Sequence, residues 1–123
     1  MKAFPWMAVL AALTLAPAAH ASGDAAAGEK AFRQCKSCHA TEPGKHRVGP
    51  SLHGVFQRPA GSAEGFANYS DGMKASGIVW DEAKLDAFLS NPKGIIPDSR
   101  MAFAGVGSPE DRANLIAFLK SAK

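Results

Sequence analysis

The sequence predicts an all-α domain, three main helices joined by long loops, and three observations carry that expectation. Apolar residues recur at helical spacing in three separate segments, each opened by a capping side chain. No alternating run of β-branched residues marks a strand. Between Thr41 and Gly77 the chain is rich in Gly, Pro and Ser and keeps no sustained period.

Asp24 caps the first helix, which runs through Ala25-Ala26-Ala27-Gly28-Glu29-Lys30-Ala31-Phe32 towards two cysteines. Ala25, Gly28 and Phe32 fall at i, i+3 and i+7 and share one face. Glycine costs about 1 kcal/mol relative to alanine inside a helix, so Gly28 marks a place where another helix comes close. The irregular stretch after it would be unusually long for a globule standing alone. Wrapped around a flat cofactor, it is accounted for. Asp81 caps the second helix, with Leu85, Phe88 and Leu89 on one face. Asn91-Pro92 stops it, because the residue before proline disfavours helical geometry. Ser108 caps the third, with Pro109 at its first position and Glu110 and Asp111 near the positive end of the dipole. Leu115, Ile116, Phe118 and Leu119 then form a face suited to meeting Gly28 and Phe32.

The chain has 123 residues, with 14 Lys+Arg against 11 Asp+Glu and a formal charge of +3. Residues 1–21 hold one charged side chain, Lys2, ahead of the apolar run Met7 to Ala16. Pro5 and Pro17 bracket a segment too short for the roughly 20 residues that span a bilayer. Ala19-His20-Ala21 supplies the small-x-small pattern of a secretory cleavage site. Residues 1–21 therefore read as a signal peptide cleaved after Ala21, and 22–123 as one exported domain without stable membrane insertion. An anchored form, in which cleavage fails, is the alternative. Cleavage removes Lys2 and lowers the formal charge to +2, which is weak for nucleic acid, and no aromatics interleave the basic residues. A hydrophobic content of 46% with mixed charge excludes a disordered chain.

Export makes a disulfide the first reading of a cysteine pair. Cys35 and Cys38 are separated only by Lys36 and Ser37, so a bridge would close a very small loop and remove little unfolded-state entropy. A redox dithiol belongs among alternating strands and helices, which are absent nearby. A zinc site would need two further ligands at compatible spacing. His39 completes C-x-x-C-H, the pattern in which two thiols bond to the vinyl groups of a haem and the adjacent imidazole turns to the iron.

With these motifs placed, the chain resembles the class I cytochromes c, most of all the soluble mitochondrial-type branch and its bacterial periplasmic relatives. The resemblance rests on Cys35-Lys36-Ser37-Cys38-His39, Val48-Gly49-Pro50-Ser51-Leu52-His53-Gly54, Gly77-Ile78-Val79-Trp80, and Asn91-Pro92 through Ile96-Pro97-Asp98-Ser99-Arg100-Met101-Ala102-Phe103-Ala104-Gly105. It implies a small cytochrome c fold wrapped around one covalent haem c per chain, and one-electron transfer between larger redox partners.

The resemblance also implies roles for single residues. Met101 lies in the family's axial-ligand loop and would ligate the iron opposite His39. Met73 reads instead as a core filler. His46 and His53 lie outside that loop; His46 reads as a tie between loops and His53 as a surface side chain. The Pro50 carbonyl would accept the second ring N–H of His39. Arg58, Tyr69, Trp80 and Ser99 would meet the haem propionates, whose inward charge needs partners. Mitochondrial relatives carry tyrosine at the position of Phe88 and asparagine at that of Met73, so this pocket should be drier. Lys30, Lys36, Lys45, Arg47, Lys93 and Arg100 would ring the exposed haem edge. Gly94, Gly107 and Ser108 replace lysines of the mitochondrial pattern, so the ring is thin, and a dispersed solvated surface stays open as the alternative.

The reading is a monomeric periplasmic electron carrier, not an enzyme. Its partners would be membrane redox complexes or periplasmic dehydrogenases and oxidases, met by transient electrostatic docking. The alternatives are a small haem enzyme or sensor with an open sixth position, and a dedicated subunit of one redox complex.

Overall fold

The computed structural model describes residues 1–3 and 23–123. The cleavage pattern Ala19-His20-Ala21 and the apolar run before it lie outside the described residues. Among the described residues no helix is long and apolar enough to cross a membrane.

Five helices follow in order among the described residues: α1 Ala25–Ala31, α2 Asp71–Ala75, α3 Glu82–Ser90, α4 Pro92–Ile95 and α5 Pro109–Ser121. A 3-10 turn, Phe32–Cys35, carries α1 into the cysteines. The three main helices of the sequence reading are α1, α3 and α5. Their capping side chains act as expected: Asp24 accepts from the N–H of Ala26, Asp81 from Lys84 and Ser108 from Asp111. Among the described residues the one β feature is an isolated antiparallel bridge, Pro59 to Val79.

Two short helices depart from the sequence reading. One lies inside the stretch expected to be irregular, where Ser70 caps α2 by accepting from Met73 N–H. The other starts at the pair read as a stop. Asn91 ends α3 and at once caps α4, with Pro92 at the first position, where a missing N–H costs nothing. Ala25 is exposed, so only Gly28 and Phe32 of its expected face point inward.

The first and last helices form the main packed pair. A Cβ on Gly28 would run into the Asn114 backbone and lie 2.8 Å from Phe118 Cβ. The absent side chain therefore lets the two backbones meet, as the sequence suggested. Phe32 and Phe118 stack tilted with ring centroids 5.1 Å apart, and the Asp24 N–H donates to Asn114 Oδ1 at 2.8 Å. Leu115, Ile116 and Leu119 complete the joint from α5. α3 adds Leu85, Phe88 and Leu89 to the same core. The loops close over it and leave an apolar cleft.

Candidate functional site

The cleft, of about 260 Å³, gathers every site residue expected from the sequence: Cys35, Cys38, His39, Pro50, Arg58, Tyr69, Trp80, Ser99 and Met101. They come from the 3-10 turn, the loops before α3, and the 97–108 loop between α4 and α5. Most of the remaining wall is hydrophobic core, including Phe32, Val55, Leu85, Leu89, Leu115 and Leu119.

His39 Nδ1 lies 2.7 Å from the Pro50 carbonyl oxygen. A carbonyl only accepts, so Nδ1 carries the proton and donates, and the Nε2 lone pair is left for a metal. Burial pushes the imidazole pKa down; the Pro50 carbonyl raises it and Arg58 lowers it further. The net result favours the neutral ring that a metal requires. Its ring lies over Gly49, where a Cβ would stand 2.8 Å from both ring nitrogens. Sequence reasoning missed this role for Gly49, because it depends on a contact across ten residues that no local pattern marks.

Cys35 and Cys38 are half-buried and unbridged. Burial, then Cys38 alongside, push the Cys35 thiol up from its ordinary value. A redox dithiol needs the opposite, a depressed pKa at an electropositive, accessible site.

Arg58 spans loops. Its Nη1 donates to the His53 carbonyl at 3.0 Å and its Nη2 to the Ser51 carbonyl at 3.1 Å. Its Nε is the one buried side-chain nitrogen or oxygen without a partner among the described residues. Burial pushes the Arg58 pKa down and Tyr69 pulls it back, but a guanidinium keeps its charge in proteins. The Tyr69 hydroxyl accepts from the Ala63 N–H at 3.1 Å, and Ser99 Oγ accepts from the Met101 N–H at 3.3 Å. Both hydroxyl protons are thus still to be donated. Trp80 is buried against Phe88, ring centroids 4.9 Å apart.

His46 and His53 do not line this cleft; with Arg58 they line a second pocket. The Ser51 N–H donates to His46 Nδ1 at 3.0 Å, so Nε2–H donates to the Glu64 carbonyl at 2.8 Å. That is the loop tie expected of it. His53 is not simply a surface residue: it is half-buried, with Nδ1 3.2 Å from the Thr41 carbonyl. Met73, read as a filler, packs on the core and also lines the main cleft.

The residues present fit a haem. A largely apolar wall suits a flat macrocycle, paired thiols face it beside a neutral imidazole, and the orphaned Arg58 Nε supplies a donor that a buried carboxylate would satisfy.

Comparison with known proteins agrees. The family model described as cytochrome c matches residues 25–123. Cytochrome c2 of Rhodomicrobium vannielii is 50% identical over 120 residues, covering 97% of this chain and 95% of its own. Cytochrome c2 of Blastochloris viridis is 49% identical over 113 residues, covering 91% and 86%. The solved structure of cytochrome cH from Methylobacterium extorquens superposes with a TM-score of 0.77 at 48% identity, covering 80% of this chain and 99% of that one. Fold, cleft and relatives lead to one conclusion: the chain belongs to the cytochrome c family, and is an electron carrier with a covalent haem c rather than an enzyme.

Proposed function

We propose that the protein works in the periplasm as a monomeric shuttle, exported by residues 1–21, cleaved after Ala21, and active as residues 22–123. It docks transiently on membrane redox complexes or periplasmic dehydrogenases and oxidases. The observation that carries this reading is the gathering of Cys35, Cys38, His39 and Met101 on one apolar cleft. An alignment covering 97% of this chain takes in most of residues 1–21, which supports a leader shared with that relative.

When bound, the haem supplies an iron that takes one electron from a reduced partner and gives it to an oxidised one. The chain's residues do the rest. Cys35 and Cys38 hold the group through thioether bonds. His39, oriented by the Pro50 carbonyl, would offer Nε2 to the iron, and Met101 would offer its thioether. An imidazole and a thioether both given to the iron would leave no ligand position for a substrate. Arg58, Tyr69, Trp80 and Ser99 would receive the propionates, Arg58 through its unpartnered Nε and the two hydroxyls through their protons. The apolar wall keeps water from the iron.

Docking rests on the exposed cations Lys30, Lys36, Lys45 and Arg47. Two other members of the expected ring are engaged within the chain. Lys93 Nζ donates to the Ser99 carbonyl at 3.0 Å, and Arg100 donates to Asn68. Val48, 69% exposed at the cleft, adds an apolar contact. Added salt should therefore slow electron transfer to an acidic partner, but less than for a lysine-rich homologue, since screening lengths fall to about 8 Å at 0.15 M. Stopped-flow rates against ionic strength check this; a flat or rising profile means an apolar or oppositely charged face. Mass spectrometry of the holoprotein checks the rest. The expected mass is Ser22 to Lys123 plus one haem, and a retained leader means an anchored form.

Phe88 gives a test of the pocket. It is buried beside Trp80 on the cleft that also holds Met73 and Met101. Phe88→Tyr should raise the reduction potential, because a hydroxyl donating to the thioether makes sulfur a poorer donor to ferric iron. An added buried water would act oppositely, its dipole favouring the ferric charge. The direct effect on a ligand atom should win. The same hydroxyl costs about 1–3 kcal/mol if it finds no partner. Potentiometric titration beside the wild type decides; an unchanged or lower potential refutes the dry-pocket account.

A further inference from the structure

The loop that carries Met101 is anchored at both ends to one side of the molecule. Before Met101, the Ser99 N–H donates to the Ile96 carbonyl at 3.0 Å, and Lys93 holds the Ser99 carbonyl. After it, the Val106 N–H donates to the Leu89 carbonyl at 2.7 Å. Arg112 clamps the same point, Nη1 donating to the Val106 carbonyl at 2.9 Å while Nε pairs with Asp86 at 2.7 Å. These anchors lead to α3, α4 and α5.

The segment 66–76 lines the same cleft, and two hydrogen bonds tie the loop to it. Asp98 Oδ2 accepts from the Gly72 N–H at 2.9 Å, and Arg100 Nη1 donates to Asn68 Oδ1. Gly72 is shaped for this contact, since a Cβ there would lie 2.9 Å from Asp98 Cγ. Asp98 and Ser70 divide the first turn of α2 between them, Ser70 taking the Met73 N–H and Asp98 the Gly72 N–H. The Gly72 N–H holds the Asp98 carboxyl below its ordinary value against the opposing effect of burial, with Ser70, the Asp98 backbone N–H and Arg100 adding to the lowering. The contact is therefore charge-assisted at neutral pH.

We propose that Asp98 is a positioning residue: with Arg100 beside it, it straps the 97–108 loop to the 66–76 segment of the cleft wall and so keeps the Met101 thioether on the iron. The inference rests on Met101 being the axial ligand.

Imidazole titration of the ferric holoprotein at neutral pH tests it. Imidazole binds once the sulfur has left, so its apparent affinity scales with the fraction of loop that is open. Asp98→Ala should bind imidazole about threefold to tenfold more tightly than wild type, the effect expected from losing one exposed charge-assisted bond. Asp98→Asn, whose amide oxygen still accepts from Gly72, should stay within about twofold. Asn68→Ala, which takes away the partner of Arg100, should shift affinity in the same direction as Asp98→Ala. Asp24→Ala serves as the control: it removes a cap at α1, and should lower the thermal midpoint while leaving imidazole affinity unchanged. Equal affinities for wild type and Asp98→Ala, both keeping the sulfur-to-iron absorption band, overturn the strap. So does an equal gain in Asp24→Ala, which would make the effect one of general stability. A wild type without that band overturns the ligation reading itself, and the strap with it.

Discussion

Met101→Ala should abolish the sulfur-to-iron absorption band, lower the reduction potential and open the iron to small ligands. Thioether ligation raises the potential relative to harder donors, so losing it should cost on the order of 0.1–0.3 V within the roughly 0.8 V that axial ligands span. The cleft holds two thioethers, Met73 and Met101, and they are placed by different means. Met73 sits on α2, fixed by that helix and its Ser70 cap. Met101 sits on a loop whose backbone is held from both sides, its own N–H on Ser99 Oγ and its carbonyl accepting from the Phe103 N–H at 3.0 Å. Met73→Leu keeps volume and apolarity, so it should cost under about 1.5 kcal/mol and leave the band in place. Optical spectra and potentiometry of the two variants decide, and reversed outcomes would make Met73 the ligand.

Gly28→Ala should destabilise the holoprotein by about 2–4 kcal/mol, beyond an ordinary overpacking penalty, because the obstacle is backbone. The new methyl would meet the Asn114 carbonyl, which cannot rotate away as a side chain would. Relief requires α1 and α5 to separate, loosening Phe32 on Phe118 and the Asp24 bond to Asn114. Gly107→Ala is the contrasting change: a Cβ there meets nothing within 4 Å, so stability should hold or rise slightly through the unfolded chain. Denaturant melts with an unchanged slope would show the difference as a shift in midpoint.

The helices that could be read from the sequence were those with both a cap and a repeating apolar face. α1, α3 and α5 have both. α2 and α4 are single turns, too short for a face to repeat, so composition read them as loop. At Asn91-Pro92 one dipeptide serves two signals, ending α3 and opening α4, and a linear reading registers only the first. The site divides in the same way. Cys35, Cys38 and His39 lie together in five residues and state their chemistry locally. Pro50, Arg58, Tyr69, Trp80, Ser99 and Met101 are scattered over some fifty positions, and only the family resemblance picked them out; the fold brings them onto one cleft. Contacts such as Asp98 on Gly72 or Gly49 under His39 join ordinary residues at long range, and nothing in either stretch of sequence marks them.

The joint between the first and last helices also sets a schedule. Asp24 and Asn114 are 90 positions apart, and each helix is the other's main support. Closing so long a loop is entropically costly, and its reward comes only when both ends are present. No N-terminal fragment contains the partner of α1. A chain emerging from a ribosome therefore stays unlocked until α5 arrives, with Cys35 and Cys38 reachable in the interval. Order in time follows from order in space: the cysteines come at the beginning, and the helix that shuts the domain comes at the end.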